Sequence, residues 1–303
     1  VIVVVCPGQG SQTPGFLSPW LELDGAAERL AAFSDAAQVD LVAHGTESDA
    51  DTIRDTRIAQ PLIVAASVLA WEQLAQVDAR PAGVAGHSVG EIAALVAAGV
   101  LDAEAGMRLV GVRGRAMADA AALAQTGMSA VVGGDEQQVL QAIADNGLSP
   151  ANYNGGGQIV AAGELEDLAR LAEAAPRGAR VIPLQVAGAF HTRFMAPAQE
   201  TLQTAVDAID RVADPDLTLW TNSDGTTLTS GARALELIVH QVANPVRWDL
   251  CMASFADRGI TGIIELAPAG ALTGLAKRGL RGVPSVAVKT PDDLAAATEL
   301  LAA

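Results

Sequence analysis

The segment "AGHSVGE", residues 85 to 91, places Ser88 between Gly86 and Gly90 directly after a run of small apolar residues. That is the G-x-S-x-G spacing of a nucleophile turn, in which a strand reverses sharply into a helix and presents a serine hydroxyl above the sheet. Glycine suits both flanks because a Cβ there would meet the neighbouring backbone. The helix that follows would turn its first N–H groups, with their partial positive charge, toward a developing oxyanion. A chain this rich in glycine and alanine also places a serine in a small-residue turn by chance, so the spacing leaves both readings open.

A serine nucleophile needs a base. His44 lies among polar loop residues, His240 falls in a helical pattern, and His87 is too close to Ser88 to turn its ring back onto it. His191, in "VAGAFHTRF" (186–194), follows the "VIPLQV" strand pattern, where a loop can project it over a site. Any one histidine can equally be structural. More than a hundred residues follow His191, and no acid lies in a strand-end loop between it and Ser88. Both features depart from the Ser–acid–His order of α/β-hydrolases. The loop "CPGQGSQ" (6–12) lacks the third glycine of a dinucleotide fingerprint, where Thr13 stands, and has no Gly-Lys-Ser/Thr. It is either an ordinary strand-ending turn or, near Gln9, a second source of backbone N–H for an oxyanion.

Arg113 is the remaining chemical signal. On a wheel of ~100° per residue, Leu109, Val110, Ala116, Met117 and Ala120 share one face, with Arg113 near its centre. A guanidinium pointing inward must meet an anion or carry a heavy desolvation cost. That anion is either a buried carboxylate of the protein or the carboxylate of a substrate, which the planar fork would hold at two points.

These residues need a scaffold. In the 303 residues, 50% are apolar and 3% aromatic, a composition that favours helices packed on a sheet of small β-branched strands. Strand patterns at "VIVVV" (1–5), "GVAGH", "LTLW" (217–220), "GIIELA" (262–267) and "SVAV" (285–288) alternate with helical ones. The helical segments include one opening at Pro61 and running to about Val77, "VGEIAALVAAGV", and Ala103 to Leu123. Repeated β-then-α order implies an α/β fold with a mostly parallel sheet flanked by helices. Between them, "GMSAVVGG" (127–134), "ANYNGGGQIVAAG" (151–163) and "ARVIPLQV" (179–186), with helices from Glu136 and Leu165, read as a small ferredoxin-like unit. The expected division is a large domain of 1–123 and 188–303, with 124–187 inserted as a subdomain.

Several classes are disfavoured. A net charge of −16 opposes a nucleic-acid partner. Cys6 and Cys251, far apart in apolar stretches, make no disulfide framework, and with four scattered histidines they give no metal-ligand spacing. The opening apolar run ends at Pro7, too short to span a membrane. The expectation is a soluble, cytoplasmic monomer with no bound metal.

"PGQGSQ", "GHSVGE", the arginine of "VGVRGRAM", "GAFH", "NPVRW" and "PAGALTGLAKR" together resemble, in order and spacing, the malonyl-CoA:acyl carrier protein transacylases of fatty acid synthesis. They also resemble the related acyltransferase domains of polyketide synthases. The resemblance runs over nearly the whole chain and implies a hydrolase-like core with an inserted ferredoxin-like subdomain. It implies that Ser88 takes malonyl from malonyl-CoA as an ester and passes it to the phosphopantetheine thiol of an acyl carrier protein. His191 would be the general base, with the backbone N–H groups of Gln9 and Val89 forming the oxyanion hole. Arg113 would grip the malonyl carboxylate, and the backbone carbonyl of about Gln241 would orient the histidine in place of an acid. Gln60, in "AQPL", matches a glutamine near the site, and Met117 is placed beside it in the pocket. Phe190 matches the bulky residue of malonyl-selective relatives, although core packing would also explain it. No cofactor beyond the coenzyme A thioester is implied. Docking of an acidic carrier on so acidic a chain would need a local basic patch, with "AKRGLR" (276–281), Arg177 and Arg180 as candidates. A serine hydrolase or thioesterase acting on acyl thioesters is the alternative, and a scaffold without activity would need none of Ser88, His191 and Arg113.

Overall fold

The computed structural model describes residues Val1 to Ala303. In chain order the strands are β1 (Ile2–Cys6), β2 (Gly83–Gly86), β3 (Thr126–Gly133), β4 (Ser149–Gly155), β5 (Gln158–Glu164), β6 (Ala179–Pro183), β7 (Thr218–Trp220), β8 (Thr227–Leu228), β9 (Val246–Arg247), β10 (Gly262–Glu265) and β11 (Ser285–Ala287). They form two sheets. The first runs β11-β10-β1-β2-β7-β8 and is parallel except for the short β8 at its edge. β1 is buried along its whole length, as expected of a central parallel strand covered on both faces, and its unbroken Ile-Val-Val-Val run follows from that.

The second sheet runs β6-β3-β5-β4-β9. Its first four strands pair antiparallel and, with the helices Glu136–Asp145 and Leu165–Glu173, follow the order βαββαβ, which is the ferredoxin-like arrangement. Its own small core packs Val131, Val139, Ile143, Ile159, Leu168 and Leu171. The fifth strand, β9, lies outside the 124–187 segment and pairs parallel to β4, tying this sheet to the rest of the chain.

Several expected elements shift. Pro61 does not open its helix: the helix runs Thr56–Leu74, with Pro61 inside it and the Asp55 side chain accepting from Arg57 N at the start. An early proline removes only one intrahelical bond, while the Asp55 cap satisfies an N–H that the helix would otherwise leave open. "ANYNGGGQIVAAG" is a hairpin of two strands. The strand expected over 179–186 ends at Pro183, and the chain from 184 to 190 becomes the loop that leads to His191. No helix is long and apolar enough to cross a membrane.

Candidate active site

β2 ends at Gly86 and the next helix, Gly90–Ala97, starts four residues later. A Cβ on Gly86 would lie 2.0 Å from the carbonyl carbon of Gly90, and one on Gly90 would lie 2.2 Å from the Cys6 carbonyl oxygen. Only glycines let the strand fold back onto the helix over the end of β1. Between them Ser88 is held at φ 54°, the left-handed region that costs an L-residue about 1–2 kcal/mol. Asn222, just after β7, holds the turn: its Oδ1 accepts from Ser88 N at 2.8 Å and its Nδ2 donates to Gly86 O at 2.7 Å. The backbone N–H groups of Gln9 and Val89, in the loop after β1 and at the head of the helix, are engaged by no backbone acceptor.

His191 also has a left-handed backbone, at φ 61°, and its N–H donates to Val242 O at 3.0 Å. Its Nε2 lies 2.7 Å from Ser88 Oγ, and its Nδ1 lies 2.8 Å from the carbonyl oxygen of Gln241. A carbonyl only accepts, so Nδ1 carries the proton and Nε2 presents its lone pair to the serine hydroxyl. Gln241 ends the helix Gly231–Gln241, where carbonyls have no intrahelical partner and the helix dipole is negative. This carbonyl occupies the place an acidic side chain takes in a triad. Burial, and then the charge of Arg113, pull the imidazole pKa down to about 3, so the ring is neutral at physiological pH.

Arg113, on the helix Ala103–Ala121, is 1% exposed. Its Nη1 donates to Gln60 Oε1 at 2.8 Å, and its Nη2 donates to Gln241 Oε1 at 2.7 Å and reaches Ser88 Oγ at 3.5 Å. Its Nε is buried without a partner. Burial lowers the guanidinium to about 10, against the field of Glu91, and it remains a cation. No carboxylate touches it. Glu91 lies one amide away: Gln241 Nε2 donates to its Oε2, and Asn222 N donates to its Oε1 at 2.5 Å. Arginine can only donate, so Gln241 must turn its oxygen to Arg113 and its NH₂ to an acceptor, which Glu91 supplies. Burial pushes the Glu91 carboxyl up to about 8, against these donors and the Arg113 charge.

Ser88 and His191 open onto a cleft of about 370 Å³, walled by Gln9, by Met128 and Asn152 of the second sheet, and by Leu275 and Arg278 of the helix Ala271–Gly279. Phe190 lines it too. Arg113, Gln60 and Met117 do not line it; Arg113 reaches the site only through Ser88 Oγ, and Gln60, which accepts from Arg113, has its Nε2 at 3.5 Å from Met117 Sδ. His87 turns away from Ser88, with Nε2 at 2.9 Å from Asn154 Oδ1 and its ring edge-on to Trp248. The sequence reading missed Asn222, Glu91 and the side chain of Gln241. Glu91 had a signal, being the lone charge in the apolar helix pattern "VGEIAALVAAGV"; Asn222 and the Gln241 amide had none.

With a hydroxyl bonded to a neutral imidazole, N–H groups beside it and a cation facing it, the site can acylate its serine with an acid that bears a second carboxylate. Comparison with known proteins agrees. The family model of the acyl transferase domain matches residues 3–293. The chain is 52% identical over 297 residues to the malonyl CoA-acyl carrier protein transacylase of Mycobacterium tuberculosis, covering 97% of this chain and 98% of that one. The crystal structure of that organism's MCAT superposes with a TM-score of 0.95, covering 98% of this chain and 99% of the other. A malonyl-transacylase solved in complex with its type II polyketide acyl-carrier protein is 31% identical, with a TM-score of 0.91, covering 98% of this chain and 99% of that one.

Proposed function

The chain belongs to the acyl transferase family, and from that premise we propose that it carries malonyl from malonyl-CoA to the phosphopantetheine thiol of an acyl carrier protein, supplying extender units for fatty acid or polyketide synthesis. His191 Nε2 takes the Ser88 hydroxyl proton as Oγ attacks the thioester carbonyl. The oxyanion of the tetrahedral intermediate is met by the N–H groups of Gln9 and Val89. Collapse breaks the C–S bond, and the departing thiolate recovers the proton from His191. In the second half the carrier thiol gives its proton to His191 and attacks the malonyl ester, and the proton returns to Ser88 Oγ on release. The thioester supplies the activation, so the sequence of steps calls for no metal or bound cofactor.

The observation that carries this reading is Arg113: a buried cation beside the nucleophile, held by two neutral amides, with its Nε–H unpartnered. A malonyl carboxylate supplies the missing anion, whereas an acetyl group would leave the guanidinium without one. The test is intact-protein mass spectrometry after mixing with malonyl-CoA or acetyl-CoA, then with holo-carrier. A malonyl adduct lost in Ser88→Ala and discharged onto the carrier is the expected result. Arg113→Ala is expected to slow malonyl labelling by two to three orders of magnitude, from an unpaired charge worth about 3–5 kcal/mol, and to spare acetyl labelling. Free malonate in place of an adduct would move the protein to the hydrolases.

A further inference from the structure

Glu91 is the buried acid that the transfer steps leave unused. It lies in the first turn of the helix Gly90–Ala97, is 6% exposed, and lines no part of the cleft that holds Ser88 and His191. It borders instead a separate cavity of about 260 Å³, which Gln241, Thr221, His240 and Arg247 also line. Any effect of Glu91 on the reaction must therefore pass through its neighbours. One of its oxygens accepts from Asn222 N, and the other accepts from Gln241 Nε2. That Gln241 NH₂ also meets Ser88 O at 3.1 Å and Asn222 Oδ1 at 3.3 Å, and its contact with Glu91 is the shortest of the three. At the other end of the same amide, Oε1 accepts from Arg113 Nη2.

We propose that Glu91 is a positioning residue for acyl-group selectivity: by accepting from Gln241 Nε2 it keeps the Gln241 oxygen on Arg113, and so holds the guanidinium beside Ser88. The inference rests on the transfer reading above. A carboxyl retains acceptor capacity whether or not it is ionised, whereas the NH₂ of an amide only donates. In Glu91→Gln the single side-chain oxygen can serve Asn222 N or Gln241 Nε2, but not both. The main-chain N–H of Asn222 cannot turn, so the new NH₂ is left facing that of Gln241. Gln241 then either draws away or flips, and a flipped amide turns its own NH₂ to Arg113, which accepts nothing. Either response takes the acceptor off the guanidinium.

The experiment measures single-turnover labelling of Ser88 by malonyl-CoA and by acetyl-CoA in wild type, Glu91→Gln, Gln241→Met and the double variant. Glu91→Gln is expected to lower the malonyl-to-acetyl rate ratio by about tenfold to a hundredfold, although it keeps the size and shape of the side chain. In the Gln241→Met background the same substitution is expected to change the ratio by less than about twofold, because the amide it acts through is gone. Acetyl labelling also reports whether each variant folds. If Glu91→Gln labels with neither thioester, Gln241→Met is expected to restore acetyl labelling to it by removing the opposed NH₂, and a failure to restore it overturns the assignment. An unchanged ratio in Glu91→Gln, or an equal loss in both backgrounds, makes Glu91 structural and overturns the assignment while leaving the transfer reading intact. A raised ratio overturns it too, since Glu91 would then be a counter-charge that weakens the pull of Arg113. A wild type labelled by neither thioester overturns the transfer reading itself.

Discussion

At the scale of single residues, the imidazole of His191 is the group whose ionisation can be followed. Burial and the Arg113 charge hold it down to about 3, where an unperturbed imidazole titrates near 6.5. A base must be neutral to take the Ser88 proton, and it is neutral above its pKa. Single-turnover acylation by malonyl-CoA is therefore expected to keep its rate as pH falls from 7 to 5. A decline centred near 6.5 would show that His191 titrates as in water. How far the residues could be read from the chain follows from what each does to its local pattern. Arg113 stands out because a cation in the middle of an apolar arc breaks helical periodicity, and Glu91 breaks it in the same way in its shorter helix. Asn222 breaks nothing, since a neutral amide after a strand looks like any loop residue. Gln241 acts partly through its main-chain carbonyl, which every residue possesses, so the resemblance pointed to it and the residue type did not.

At the scale of elements, the helix Thr56–Leu74 carries Gln60, one of the two amides on Arg113. Its start lies beside the Gln9 loop, where Gln9 Nε2 approaches Thr56 Oγ1 at 3.3 Å. Asp55→Ala removes the cap and is expected to lower unfolding stability by about 1 kcal/mol without changing acylation, read by urea denaturation and single-turnover labelling. A larger loss in acylation than in stability would place the first turn in the site itself. The parallel core was legible because β1 and β10 are short apolar runs that alternate with helices. The helix start was less so: Pro61 is the stronger punctuation in sequence, yet the Asp-Thr pair five residues earlier decides where hydrogen bonding begins. The two-residue strands β8 and β9 are too short for any periodicity, and tertiary pairing alone defines them.

At the scale of the whole molecule, the net charge of −16 sets a repulsive field for an acidic carrier, while Lys277, Arg278 and Arg281 are exposed and Arg278 borders the cleft. If that patch receives the carrier, added salt slows transfer in wild type by screening the attraction. In Lys277→Glu/Arg278→Glu the remaining field is repulsive, and added salt is expected to speed transfer, as measured by carrier malonylation across a salt series. The same slope in both proteins would place docking elsewhere. Ser88 and His191 are two of only four non-glycine residues with positive φ, so the chemistry sits on backbone that glycine would occupy more easily. Ser88→Gly is expected to be more stable than Ser88→Ala by about 1 kcal/mol, the reverse of the usual order of those two residues. At these two positions the backbone conformation alone thus favours glycine over the residue that does the chemistry. A descendant released from selection for turnover would drift toward glycine at both positions and lose its activity while its fold persisted.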